Sequence, residues 1–208
     1  TGPRTLIKRG ADWRYSDVGS EPAAVNQLTS RDLGFPDQAW PHGPAILGFA
    51  GSAAANTVAT PTRRYVNGVS PPQVTTTYLR HTFTLDSTNG IASLLADTLR
   101  DDGVVIYLNG SEVAEWRQNM NPGATTYGTY SAGVVSSPAQ NTYFTLSANA
   151  AHLLRVGTNS VAVEVHQCNA TSSDLYFDFS VTALADSAHV FTDITVTNDL
   201  TVMARAFD

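Results

Sequence analysis

Segments that alternate apolar with polar residues dominate this chain, and a period of two confines them to β-strands. Residues 76–85, with Tyr78, Leu79, His81 and Phe83 in alternation, read as one long strand. Residues 104–108 form a short apolar run, followed by Asn109-Gly110 and then residues 111–116. An Asn-Gly pair accepts positive φ at both central positions of a type I′ turn, so the two runs are expected to form a hairpin. Residues 160–166 read as a further strand entered through the turn-forming Gly157-Thr158-Asn159, and 175–184 closes the series. The best helical segment is 149–155, a turn or two long. Between the strands lie long segments, 48–72 and 119–140, of a size uncommon in compact domains unless they serve a function. After about residue 186 the texture changes. Ile194, Val196, Leu200 and Val202 alternate with polar residues, as an added edge strand or the start of a fibrous stem would.

Composition agrees with strands. Only 14% of the 208 residues are charged, well below the usual quarter, and Thr, Ser, Asn and Gly carry the polarity. These residues favour strands and turns because they compete with, or weaken, helical backbone bonding. The length fits one β-sandwich with a full core. A net charge of −6, with Lys8 as the sole lysine, excludes the basic face that nucleic-acid binding needs. It also disfavours anionic membranes, and no apolar stretch approaches the ~20 residues that span a bilayer. The sequence opens without a signal-peptide pattern, as a trimmed exported protein would. The single cysteine, Cys168, allows neither an internal disulfide nor a thiolate metal site. It stands near His166, but without a third activating group it reads as a small thiol at a strand end. The histidines have no zinc-ligand spacing, and phosphate-binding, nucleophile-elbow and dinucleotide motifs are absent.

The order of several motifs carries a resemblance. Trp13-Arg14-Tyr15 comes first, then Phe35, Trp40, Gly43 and Gly48, then Tyr78 to Phe83. Arg100-Asp101-Asp102-Gly103 leads into Asn109-Gly110 with Glu112-Val113, and Asn119-Met120 follows. Leu154, Gly157, Asn159, Ala162, Val163 and Val165 precede His166-Gln167, and Ser172-Ser173-Asp174 leads to Asp178. This order, over residues 6–184, resembles the galactose-binding-like jelly-roll accessory modules of large secreted bacterial proteins. More distantly it is similar to the sugar-binding domain of the β-galactosidase/β-glucuronidase family. The resemblance implies an all-β, two-sheet antiparallel jelly-roll sandwich, expected over residues 1–186, and the alternation beyond it makes 187–208 an expected C-terminal β extension. It also implies extracellular or virion-surface placement, and one structural calcium ion held by oxygens near Asp101-Asp102 or between Asp32 and Asp37.

Strand direction by itself locates a candidate site. Asp101 and Asp102 start the strand 104–108, and the returning hairpin arm should bring Trp116, Arg117 and Asn119 to the same end. If 161–166 runs antiparallel to 104–108, His166 and Gln167 arrive there too, and the loop that follows ends at Asp174. Sugar recognition needs polar groups that grip neighbouring hydroxyls and an aromatic face for the apolar side of the ring. This rim supplies both, with Trp116 as the ring face. Tyr127 and Tyr130, in the long Gly/Thr-rich loop, are added as stacking candidates. The alternative reading makes the same residues structural, with Asp101 and Asp102 bonding loop amides while His166 and Gln167 satisfy buried backbone. Trp13 and Trp40 are expected to anchor core or loop, and His42 a turn.

The expected function is non-catalytic binding of a cell-surface or matrix glycan, as an accessory or adhesive part beside neighbouring domains of a larger protein. A receptor-binding piece of a phage tail fibre or spike, trimeric through the C-terminal extension, is one alternative. A structural spacer without ligand is a second, and a glycosidase or polysaccharide lyase is a third.

Overall fold

The computed structural model describes residues 2–50 and 57–185. The alternating segment at 193–202 lies outside the described residues. Among those described, the regular structure is strands and short 3-10 turns, with no α-helix. The strands are β1 (Arg4–Ile7), β2 (Asp12–Ser16), β3 (His42–Pro44), β4 (Leu47–Phe49), β5 (Thr60–Pro61), β6 (Thr76–Leu85), β7 (Ile91–Asp101), β8 (Gly103–Leu108), β9 (Ser111–Glu112), β10 (Phe144–Ala148), β11 (Gly157–His166) and β12 (Leu175–Ala185). One sheet runs β10-β7-β12-β4-β5, with β1 also on β12; the other runs β3-β2-β6-β11-β8-β9. All pairings are antiparallel except β4 with β5. The jelly-roll sandwich expected from the sequence is the observed architecture.

The period of two builds the core. Along β12, Leu175, Phe177, Phe179, Val181 and Ala183 point inward; on β11, Val161, Val163 and Val165 do the same, and on β8, Val104, Ile106 and Leu108. Trp13 and Trp116 lie between the layers, each meeting Phe179 edge-on, with centroids 6.3 and 5.4 Å away. Such side chains are worth roughly 1.5–3 kcal/mol each when removed from water. Asn109 and Gly110 have φ of 51° and 90°, as a type I′ turn requires. The Asn109 side chain also bonds Leu153 O, Asn159 Oδ1 and the Ser160 amide, tying the hairpin tip to the start of β11. Gly48, at φ 147°, lies so close to β12 that a Cβ there would stand 1.8 Å from Leu175 O.

Some expectations change. The arm after Asn109-Gly110 is a strand only over Ser111–Glu112, and Ala114–Trp116 winds into a 3-10 turn that drops Trp116 into the core. The helix expected over 149–155 is a 3-10 turn, Ala151–Leu153. β7 carries no clean alternation in sequence because Leu95 and Leu99 lie on the face opposite the core-facing Leu94 and Ala96, a face that is only partly covered. It pairs along the whole of β12.

The sheet containing β6 and β11 is buried on both faces over residues 76–80 of β6 and 159–166 of β11. Two segments that the sequence leaves as loop cross its outer side. Arg80 holds the first, donating to Asp37 at 2.8 Å and to the carbonyls of Ser30 and Leu33. Arg31 from that segment reaches Glu164 at 2.7 Å. Glu164 also accepts from Thr125 of the second segment at 2.6 Å. Thr76 donates to Tyr127 O, and Ser131 donates its amide to Gln167 O. These bonds explain why Arg80 and Glu164, both charged, are buried.

Candidate functional site

The antiparallel pairing of β11 with β8 sets His166 opposite Gly103, and this brings the expected residues to one end of the sandwich. What they do there is mechanical. Asp102 has no exposed surface. Its Oδ1 accepts the Val135 amide at 2.7 Å; its Oδ2 accepts the Cys168 amide at 2.7 Å and the Ser172 hydroxyl at 3.5 Å. Its carbonyl takes Arg100 and Asn119. One carboxylate thus fastens two loops to the sheet. His166 Nδ1 meets Thr76 Oγ1 and Thr129 O, and its Nε2 lies 3.3 Å from Glu164. The Gln167 amide donates to Thr75 O. Asp101 is 1% exposed, and its carboxylate oxygens have no hydrogen-bond partner among the described residues. Burial, then repulsion from Asp102 and Asp174, pushes its carboxyl up to about 9 against the pull of Arg100. Its surroundings therefore favour the neutral acid over the carboxylate.

The remaining expected site residues divide. Trp116 is a correction: fully buried in the core, it has no face to offer a ligand. Asp101, Asp102, His166 and Gln167 are corrected in the same way, since groups with essentially no accessible surface cannot grip hydroxyls from solution. Arg117 is spent on Glu112 at 2.6 Å and on the carbonyls of Asn121 and Gly123. Asn119, at φ 52°, bonds Asp102 O and Gly133 O. The Tyr127 hydroxyl accepts the Thr75 amide. Asp174 accepts from Ser173 and Gln140, and Tyr130 is exposed without being part of this network. The Cys168 thiol is pushed up to about 11, first by burial and then by Asp102, so it is no thiolate nucleophile at neutral pH. Asp32 caps its own turn through Thr29, and Asp37 is paired with Arg80. Among the described residues no group of three or more His, Cys, Asp or Glu side chains is placed to hold a metal ion.

A second place has the chemistry the rim lacks. A cleft of about 460 Å3 opens between β2 with its following turn and the segment 35–41, within the roughly 300–1,000 Å3 range of small-molecule sites. Tyr15, Phe35 and Trp40 line it, with Asp17, Glu21 and Arg63 as its charged groups. Phe35 is buried and meets the half-buried Trp40 edge-on at 5.6 Å. Arg14 Nη1 donates to Gln38 O and Trp40 O, and the Trp40 amide donates to Asp37 O. Since Asp37 is itself held by Arg80, the aromatic wall is fixed before any ligand arrives. Val18 and Val25, 50% and 39% exposed, add apolar surface to the same cleft. The sequence pattern marks Trp40 as an anchor and singles out neither Tyr15 nor Phe35 as a ligand contact. The one hint is that Phe35 and Trp40 each adjoin a proline, which stiffens loops that display aromatics. A smaller hollow of about 190 Å3, lined by Asp12, Arg14, Asp37, Arg80, His81 and Thr82, has most of its charges already paired.

No protein-family model matches the sequence, and neither does any curated protein. Among solved structures the chain is similar to Bacteroides uniformis beta-glucuronidase 2 covalently bound to cyclophellitol-6-carboxylate aziridine. The identity is 16% and the TM-score 0.50, over 87% of this chain and 18% of that one. The likeness is one of fold. A glycosyl hydrolase family 2 member from Bacteroides cellulosilyticus gives 12% identity and a TM-score of 0.47, over 88% of this chain and 20% of that one. The beta-glucuronidase of Ruminococcus gnavus gives 13% and 0.45, over 87% and 29%. The chain spans less than a third of the length of each of these proteins. No helix among the described residues is long and apolar enough to cross a membrane.

Proposed function

We propose that this domain binds carbohydrate without turning it over, as an accessory or adhesive part of a larger protein, and that the cleft beside Trp40 is its site. The observation that carries the reading is the pre-fixed pair of partly exposed rings, Tyr15 and Trp40, backed by the buried Phe35, with polar groups at the margin. Sugar rings stack their apolar face on such rings and take hydrogen bonds at the edge. The fold similarity to part of bacterial glycosidase chains is in keeping with it. Support for binding alone comes from the rim: glycoside hydrolysis needs two accessible carboxyl groups across the scissile bond, whereas Asp101 and Asp102 are sealed from solvent. In the cleft, Asp17 is committed to the Arg63 backbone amide at 2.6 Å.

Tryptophan fluorescence gives a direct test, because Trp13 and Trp116 are fully buried and Trp40 is the accessible one of the three. Titration with a panel of neutral, amine-bearing and acidic oligosaccharides should give a saturable change for at least one of them. Trp40→Ala should abolish binding read by calorimetry, which does not depend on the fluorophore that the substitution removes. A panel that gives no response, or sugar turnover lost in Glu21→Gln, would overturn the reading.

A further inference from the structure

The charged groups of the cleft are unequal in what they have left to offer. Asp17 is 4% exposed. Its Oδ2 accepts the Arg63 amide at 2.6 Å and its Oδ1 lies 3.9 Å from Arg63 Nε, so Arg63 and Asp17 offset each other. Glu21 stands apart. It is exposed on the cleft margin, and among the described residues its carboxylate has neither a hydrogen bond nor an ion pair. Arg31 lies within its field, but both Nε and Nη2 of Arg31 are 2.7 Å from Glu164 Oε1, and its guanidinium covers the Tyr107 ring. Among the described residues, the cleft therefore presents one uncompensated negative charge beside aromatic faces. An aromatic ring attracts a cation over its face, and a carboxylate next to it adds a direct Coulomb partner.

We infer that the cleft selects sugars by charge, preferring an amine-bearing hexosamine unit over a neutral hexose and disfavouring a uronate. The inference rests on the carbohydrate reading of the cleft and specifies the ligand class within it. A hexosamine places its ammonium group at Glu21 while the ring stacks on Trp40 or Tyr15. A uronate brings a second carboxylate to a margin that already has one unpaired, within a protein whose net charge is −6. Exposed charge pairs of this kind are modest in energy and sensitive to salt, so the preference is a graded one.

The experiment is calorimetric titration of the full chain, at a mildly acidic pH that keeps the amine protonated. The ligands are a glucosamine disaccharide, cellobiose and a glucuronic-acid-containing disaccharide. The glucosamine disaccharide should bind about three- to fivefold tighter than cellobiose at low salt, and the uronate more weakly than either. The gap should close in molar salt, where the screening length falls to about 3 Å. Glu21→Gln should bring the amine-to-neutral affinity ratio to about one. Equal affinity for all three ligands, or tightest binding of the uronate, would overturn the charge preference while leaving the carbohydrate site in place. Binding of none of the three would remove both.

Discussion

The β8–β11 end of the sandwich and the cleft beside Trp40 are built from the same kinds of side chain, aspartate, arginine and aromatic residues, yet they have opposite characters. At the strand end, Asp102 accepts from, His166 meets and Asn119 donates to backbone groups of crossing loops. In the cleft, Arg80 and Arg14 hold the backbone from behind, and Tyr15, Trp40 and Glu21 are left facing solvent. Polar residues that satisfy buried backbone have spent their capacity; those held in place by others still have theirs. A polar cluster is thus read as a site only after its internal bonds have been counted.

The sharpest way to break this contrast is Trp116→Ala. If Trp116 belongs to the core, the substitution should cost about 3–5 kcal/mol in urea unfolding; a near-normal midpoint would return it to the surface. Asp102→Ala comes next. It would strand the part-buried Val135 and Cys168 amides and should cost about 2 kcal/mol, with amide exchange faster in both loops. Equal protection in the variant would show that the loops do not depend on this carboxylate.

Asp101 gives a pH-dependent effect with a defined sign. Its ordinary value is 3.8 and its folded value about 9. Above the ordinary value the native chain keeps a proton that the unfolded chain releases, so stability should fall as pH rises from about 4 toward 9. Asp101→Asn should flatten this slope and gain on the parent protein toward pH 9. Glu164 works in the opposite direction at acid pH. Burial raises its carboxyl, but bonds from His166, Thr125 and Arg31 outweigh this and hold it below its ordinary value, so its contribution is lost as acid protonates it. Trp40→Ala closes the series. Half-exposed, Trp40 should cost no more than about 1 kcal/mol in stability while removing the sugar response, the reverse of the expectation for Trp116.

Much of the fold is legible in the sequence. The strand read over 76–85 matches β6 in extent, those at 160–166 and 175–184 fall within β11 and β12, and Asn109-Gly110 makes the turn its chemistry requires. Even the gathering of Asp101, Asp102, His166 and Gln167 follows from strand direction. β7 escapes because apolar Leu95 and Leu99 stand on the outer face opposite Leu94 and Ala96, so its sequence does not alternate. The cleft escapes because Tyr15 and Trp40 are separated by a segment without any period and are brought together by Arg14 and Arg80.

The sequence by itself determined the strands, the hairpin and the end at which the loops gather, because these depend on side-chain period and on the φ preferences of neighbouring residues. Only the tertiary structure decided which tryptophan is wet. Trp116 and Trp40 both sit in polar, turn-rich surroundings along the chain. Trp116 meets Phe179 of the facing sheet, while Trp40 stays half-buried at the cleft edge. Exposure is set by residues distant in the chain, and no local pattern encodes it.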